Sequence, residues 1–159
     1  MMEAEAEAEA LPPPPATTPV LLFLHGAGQT ALSFALMAAE IMRLATGGSS
    51  ASTTTNGSST TNPPPLILCP DLPFHGRTRS QPDDADFSAG RLVGDVLGCL
   101  AACLASSAGD GTDGPCPRYS LTLVGHSLGG ALAVRLAAEP GLAALGEVKG
   151  GEESCKADF

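Results

Sequence analysis

Six consecutive residues, Gly125-His126-Ser127-Leu128-Gly129-Gly130, have the composition that a nucleophilic serine requires. They follow the apolar run Leu121-Thr122-Leu123-Val124 and precede an alanine- and leucine-rich stretch of helical spacing. A serine between a strand and a helix sits in a strained turn that exposes its hydroxyl, and small neighbours let that turn pack. The helix behind it presents its positive end and its unpaired first N–H groups to an anion. The pattern makes Ser127 a candidate nucleophile toward a carbonyl carbon and Leu128 N–H a candidate donor to the resulting oxyanion. Gly125, His126 and Gly129 are the residues that shape this elbow. The competing reading of the same six residues is a glycine-rich turn with an inert serine.

Two further segments follow apolar runs in the same way. His25-Gly26-Ala27-Gly28 comes directly after Val20–Leu24. A loop of this kind, on a neighbouring strand, is where a nucleophile elbow receives its second oxyanion N–H. Ala27 N–H is the candidate donor, and His25, with Gly26 and Gly28, is read as shaping the loop rather than carrying protons. Asp71-Leu72-Pro73-Phe74-His75-Gly76-Arg77-Thr78 comes after Leu66–Cys69. Asp71 and His75 either border a substrate mouth, or the segment is a turn held by Asp71 hydrogen bonds and by Gly76.

The elements that must hold these loops alternate. Val20–Leu24, Leu66–Cys69 and Leu121–Val124 are short and continuously apolar, as expected of parallel strands covered on both faces. Between them, Ala31–Leu44 carries Leu32, Ala35, Leu36, Ala39 and Met42 at helical spacing. Ala89–Ala105 places Leu92, Val93, Val96, Leu97, Leu100, Cys103 and Leu104 on one stripe, with Ser88 as N-cap. Leu128–Ala138 is the third helix, stopped by Pro140-Gly141. The order predicts an α/β fold with three parallel strands alternating with helices and right-handed crossovers. Gly90, Gly94 and Gly98, four apart on the second helix, are read as a face that approaches the sheet closely. Arg91 and Asp95 on the same helix, and the lack of any continuous apolar run of spanning length, argue against a membrane segment.

Four polar or low-complexity stretches contribute nothing to a core. Residues 1–18 form an acidic, then proline-rich tail, read as disordered. Residues 46–65 are a Ser/Thr/Gly-rich insertion within the domain spanning 19–148, residues 106–117 are a polar, glycine-rich connection, and 149–159 read as an unstructured tail. What remains of the 159 residues supports a small core or part of a larger one. The formal charge of −9 excludes the clustered Lys/Arg of a nucleic-acid or anionic-membrane partner. The three histidines are scattered and the five cysteines contain no CxxC pair, so neither a metal nor a cofactor is expected. Reduced thiols and the absence of a secretory pattern give an expected location in the cytoplasm, with the nucleus as a second location.

Taken together, the three strand-end motifs resemble the α/β-hydrolase superfamily, and within it the protein phosphatase methylesterases. The resemblance rests on PVLLFLHGAGQTALSF (Pro19–Phe34), DLPFHGRT (Asp71–Thr78) and VGHSLGGALAV (Val124–Val134), and runs from about Pro19 to Leu145. It implies a serine carboxylesterase that removes a methyl ester from the C-terminus of the protein phosphatase 2A catalytic subunit, with that subunit as partner. Ala27 stands where the family has glycine. In such hydrolases the acid and then the histidine follow the nucleophile, yet no histidine follows Ser127 here. Glu152 and Glu153 fall near the acid's spacing but lack a strand to hold them, and neither is assigned the role. The resemblance thus implies an incomplete α/β-hydrolase fold, the N-terminal part of a family domain, inactive as this chain. Another α/β-hydrolase esterase or lipase-like enzyme, or a non-catalytic phosphatase-binding fragment, are the alternatives.

Overall fold

The computed structural model describes residues 17–46, 63–78, 86–107 and 118–145, and the backbone of 147–148. The expected N-terminal tail before Thr17, most of the 46–65 insertion, most of the 106–117 connection and the tail after 148 lie outside the described residues.

Four parallel strands form one sheet in the order β2-β1-β3-β4. Strand β1 (Thr17–Leu24) lies at its centre, between β2 (Leu66–Leu68) and β3 (Arg118–Gly125). The β1–β3 pairing is in register over eight residues, from Thr17 opposite Arg118 to Leu24 opposite Gly125. This register brings the two strands to the same edge of the sheet, so that the His25 loop and the Ser127 turn leave it side by side. β1 and β3 both begin earlier than their apolar runs suggest, because Thr17, Thr18, Arg118 and Tyr119 extend the backbone ladder. A fourth strand, β4 (Glu147–Val148), pairs with Ser120 and Leu121. It adds a two-residue ladder beside the three expected strands.

One face of the sheet is covered by α2 (Ala89–Ser107) and α3 (Leu128–Ala137). Leu92, Val93, Val96, Leu100 and Leu104 of α2 and Leu132, Ala133 and Leu136 of α3 are buried against Val20, Leu22, Leu24 and Leu121. Ser88 caps α2, its Oγ accepting Arg91 N–H at 3.3 Å and its carbonyl accepting Leu92 N–H. By length and apolarity α2 would suffice to cross a membrane, but its leucine and valine stripe is taken up by this core.

Gly90, Gly94 and Gly98 do not approach the sheet. A Cβ at any of them would meet open space, because the glycines lie opposite the buried stripe. The third helix also differs from its sequence reading. It ends at Ala137, and Pro140 opens a further helical turn, α4 (Pro140–Ala143), from the first helical position that proline tolerates best.

On the other face the chain leaves β1 through a 3₁₀ turn (Ala31–Phe34) into α1 (Ala35–Ala45). Phe34 is buried on Phe23, with ring centroids 5.0 Å apart. No residue of α1 itself is buried, and Leu32 and Leu36 are 80% and 88% exposed. The apolar positions on this segment therefore reflect helical spacing without a core behind it.

Candidate active site

Ser127 has φ 53° and ψ −118°, a conformation that only Gly adopts readily. Packing imposes it. A Cβ on Gly129 would drive into the Leu24 carbonyl, and one on Gly125 into the Gly129 carbonyl. His126 N–H donates to Leu24 O at 3.0 Å, Gly129 N–H to His126 O at 2.9 Å and Ala131 N–H to Ser127 O at 3.1 Å. The turn is thereby bolted to the end of β1 and to the first turn of α3. The Ser127 side chain is left on an exposed residue at the helix N-terminus. Among the described residues its Oγ has no hydrogen-bond partner, and neither has Leu128 N–H.

The loop after β1 lies directly against this turn. A Cβ on Gly26 would stand 3.2 Å from Ser127 Cβ and 2.9 Å from His126 Nδ1. Gln29 ties the two together, its Oε1 accepting Gly26 N–H at 3.0 Å and the His126 Nδ1 proton at 3.2 Å. The sequence reading passed over Gln29, and its only signal is a short polar side chain one residue beyond the HGAG segment. Gly28 takes φ 72°, and Gln29 N–H returns to Gly26 O. With Gly26, Gly28 and Gln29 amides all engaged, Ala27 N–H is the one amide of this loop left without an acceptor among the described residues.

Asp71 organises the third loop. Its Oδ1 accepts Ala31 N–H at 2.7 Å and its Oδ2 accepts Arg77 N–H at 2.8 Å, while its carbonyl accepts Thr78 Oγ1–H. The two amide bonds hold the carboxyl below the usual carboxylate range. Gly76, at φ 51°, leaves the room that the Asp71 carboxylate occupies, since a Cβ there would overlap it. These bonds match the reading of 71–78 as a turn held by Asp71 and Gly76. Phe74, within this turn, has φ 63°, and its ring centroid lies 4.2 Å from that of Phe87.

Two imidazoles join this loop to the first. His25 is fully buried. Its Nδ1 faces Gly26 O at 2.9 Å, and its Nε2 accepts Leu72 N–H at 2.9 Å. His75 Nδ1 faces Pro73 O at 2.8 Å, and its Nε2 accepts Gly28 N–H at 3.0 Å. Each ring thus donates from Nδ1 and accepts at Nε2, and the rings lie 5.1 Å apart. All three histidines are committed to loop contacts, and none bonds Ser127 Oγ.

Among the described residues no group of His, Cys, Asp and Glu could hold a metal ion. A cavity of about 190 Å³ opens elsewhere, between β2 and α2, lined by Leu68, Val96 and Leu100 with Cys69, Cys99 and Cys103. Its setting is apolar, and burial pushes the Cys69 and Cys99 thiols up.

A parallel sheet with a strained serine at a strand-to-helix turn, beside a glycine loop whose Ala27 N–H has no acceptor among the described residues, has the geometry of a nucleophile elbow. A family model described as the alpha/beta hydrolase family matches residues 21–151, and the chain belongs to that family. It is similar to Protein phosphatase methylesterase 1 of Rattus norvegicus, 33% identical over 120 residues that cover 76% of this chain and 24% of that protein. The Pongo abelii protein of the same name is 32% identical over 138 residues, covering 83% of this chain and 28% of its own length. That of Homo sapiens is 33% identical over 119 residues, covering 75% and 23%. The chain spans about a quarter of the length of these curated relatives. No solved structure matches it.

Proposed function

We propose that the chain carries the nucleophile and oxyanion hole of a serine carboxylesterase acting on the methyl ester at the C-terminus of the protein phosphatase 2A catalytic subunit. The observation that carries this reading is Ser127, held at φ 53° against the Gly26 loop, with the Ala27 and Leu128 amides unengaged among the described residues. Ser127 Oγ attacks the ester carbonyl, and the two N–H groups take the negative charge of the tetrahedral intermediate. Methanol leaves, and water attacks the acyl-serine to release the free carboxylate. Both steps require a base for the attacking proton and an acid for the leaving oxygen. No described histidine fills that role for Ser127, and loss of the histidine costs a serine hydrolase about 10⁶-fold in kcat. The chain by itself is therefore proposed to acylate and turn over slowly, in the cytoplasm and nucleus where the phosphatase partner would be met.

The similarity to the methylesterases supports the substrate class, and the geometry supports the chemistry. Incubation of the chain with p-nitrophenyl acetate, followed by peptide mass analysis, is expected to place an acetyl group on Ser127. S127A is expected to lose the adduct. Ala27→Pro, which removes one oxyanion donor, is expected to slow acylation by about 10²-fold. Acetylation at other nucleophiles with no difference for S127A would overturn the reading.

A second reading rests on the commitment of all three histidines to contacts other than Ser127: a non-catalytic binder of the phosphatase. Methanol release from a C-terminally methyl-esterified phosphatase peptide, lost in S127A, favours the esterase. Equal capture of the phosphatase catalytic subunit by the native chain and S127A, with no release, favours the binder.

A further inference from the structure

We infer that His75 is a positioning residue for the oxyanion loop, acting as a neutral imidazole whose Nε2 holds Gly28 N–H so that Ala27 N–H is the amide left to meet the substrate. The inference rests on the proposed esterase reading for its catalytic meaning, but its structural content is independent of it. Four consecutive residues form the loop, and three of their amides are spoken for. Gly26 N–H goes to Gln29 Oε1, Gln29 N–H to Gly26 O, and Gly28 N–H to His75 Nε2. The first two bonds are local. The third reaches across 47 residues of sequence to the mouth loop, and is the one of these three bonds whose partner lies outside the loop.

His25 makes the reciprocal bond. Its Nε2 accepts Leu72 N–H, again across 47 residues, so each loop lends the other an imidazole acceptor. The two crosslinks differ in access. His25 is fully buried, whereas His75 is part-exposed and its bond to Gly28 lies at the surface. Only a ring with a lone pair on Nε2 can accept an amide proton. Protonation turns that nitrogen into a donor facing another N–H, which breaks the bond and sets the loop free. Asp71, whose carboxylate is coupled to His25 and to Arg77, is the charged neighbour of this pair of loops. Asp71 stays an acceptor through the histidine range, because its two amide bonds hold its carboxyl low.

The test is a titration of the ¹⁵N-labelled chain by NMR, read at the Gly28 amide and the His75 ring nitrogens. His75 is expected as the Nδ1–H tautomer at high pH, and the Gly28 amide shift is expected to follow His75 protonation. H75Q supplies an amide oxygen near the Nε2 position. Gly28 is expected to keep its bonded shift in H75Q and to lose the titration, while H75A shows the unbonded shift at every pH. In the acetylation assay of Ser127, H75A is expected to be slower by up to about 10²-fold, as for a misplaced donor. H75Q is expected to recover most of that rate.

A Gly28 shift in the native chain that ignores His75 protonation overturns the inference without any variant. So do equal acetylation rates and pH profiles for the native chain, H75A and H75Q. Absence of Ser127 acetylation in all forms, with the Gly28 titration intact, strikes the esterase reading and leaves the His75 crosslink in place.

Discussion

The nucleophile elbow and the mouth loop both follow a strand of the parallel sheet and both hold a non-glycine residue at positive φ, Ser127 at 53° and Phe74 at 63°. They are secured by different physics. The elbow is held sterically, with Gly125 and Gly129 pressed against backbone carbonyls that leave no room for a methyl group. The mouth loop is held by polar bonds, with one carboxylate serving Ala31 and Arg77 and one imidazole serving Gly28. Steric fixation is indifferent to pH and intolerant of added volume. Polar fixation tolerates shape and depends on protonation. On the proposed esterase reading, a nucleophile fixed the first way and an oxyanion loop tethered the second way let the site lose charge stabilisation without losing its serine.

The largest test of that contrast is Gly129→Ala. Its new methyl group would overlap the Leu24 carbonyl, and a loss of about 4 kcal/mol or more in denaturant unfolding is expected, at any pH. A small, tolerated effect would show that the elbow is not sterically fixed.

Next comes Asp71→Ala, which leaves the Ala31 and Arg77 amides without their acceptor. The native anchor is complete above the ordinary carboxylate range, because the folded-state pKa is depressed, and it is lost as pH falls through the lowered value. Amide shifts of Ala31 and Arg77 are expected to show that acid step in the native chain and to lack it in the variant. The elbow resonances are expected to stay unmoved in both.

Smaller still is Gln29→Ala, which removes a side chain bonded, among the described residues, to both the oxyanion loop and the elbow. About 0.5–1.5 kcal/mol of destabilisation is expected for its hydrogen bonds, with slower Ser127 acetylation as the second readout. At the bottom of the scale is Leu36→Glu on the exposed side of α1, expected within about 0.5 kcal/mol of the native stability. A large loss there would mean that α1 is packed after all, and that a third mode of fixation supports the loop.

The same contrast explains what could be read from the sequence. Steric requirements leave compositional marks, since only glycine fits at 125 and 129, and the elbow was legible from six letters. Buried parallel strands are legible for a related reason: both faces must be apolar, so 20–24, 66–69 and 121–124 stand out as unbroken runs. Polar fixation leaves weaker marks. Nothing adjacent in sequence says that His75 meets Gly28 or that Asp71 meets Ala31, because those partners are joined only by the strand order. Gln29 was passed over for that reason. The glycines of α2 misled in the opposite sense, because helical spacing reports which residues share a face and not what that face meets. Strand β4 escaped because backbone pairing with Ser120 and Leu121, rather than an apolar run, defines it.

The in-register pairing of Leu24 with Gly125 has a consequence for how the site can fail. Gly26 and Ser127 are neighbours because two strands a hundred residues apart in the chain stop at the same level. A slip of two residues would keep every side chain on its own face of the sheet, yet would carry the loop about 6–7 Å along the strand. The core would look nearly intact while the donor and the nucleophile no longer faced one another. In this chain strand alignment works as a vernier, and a misfolded molecule could hide its error everywhere except at the serine.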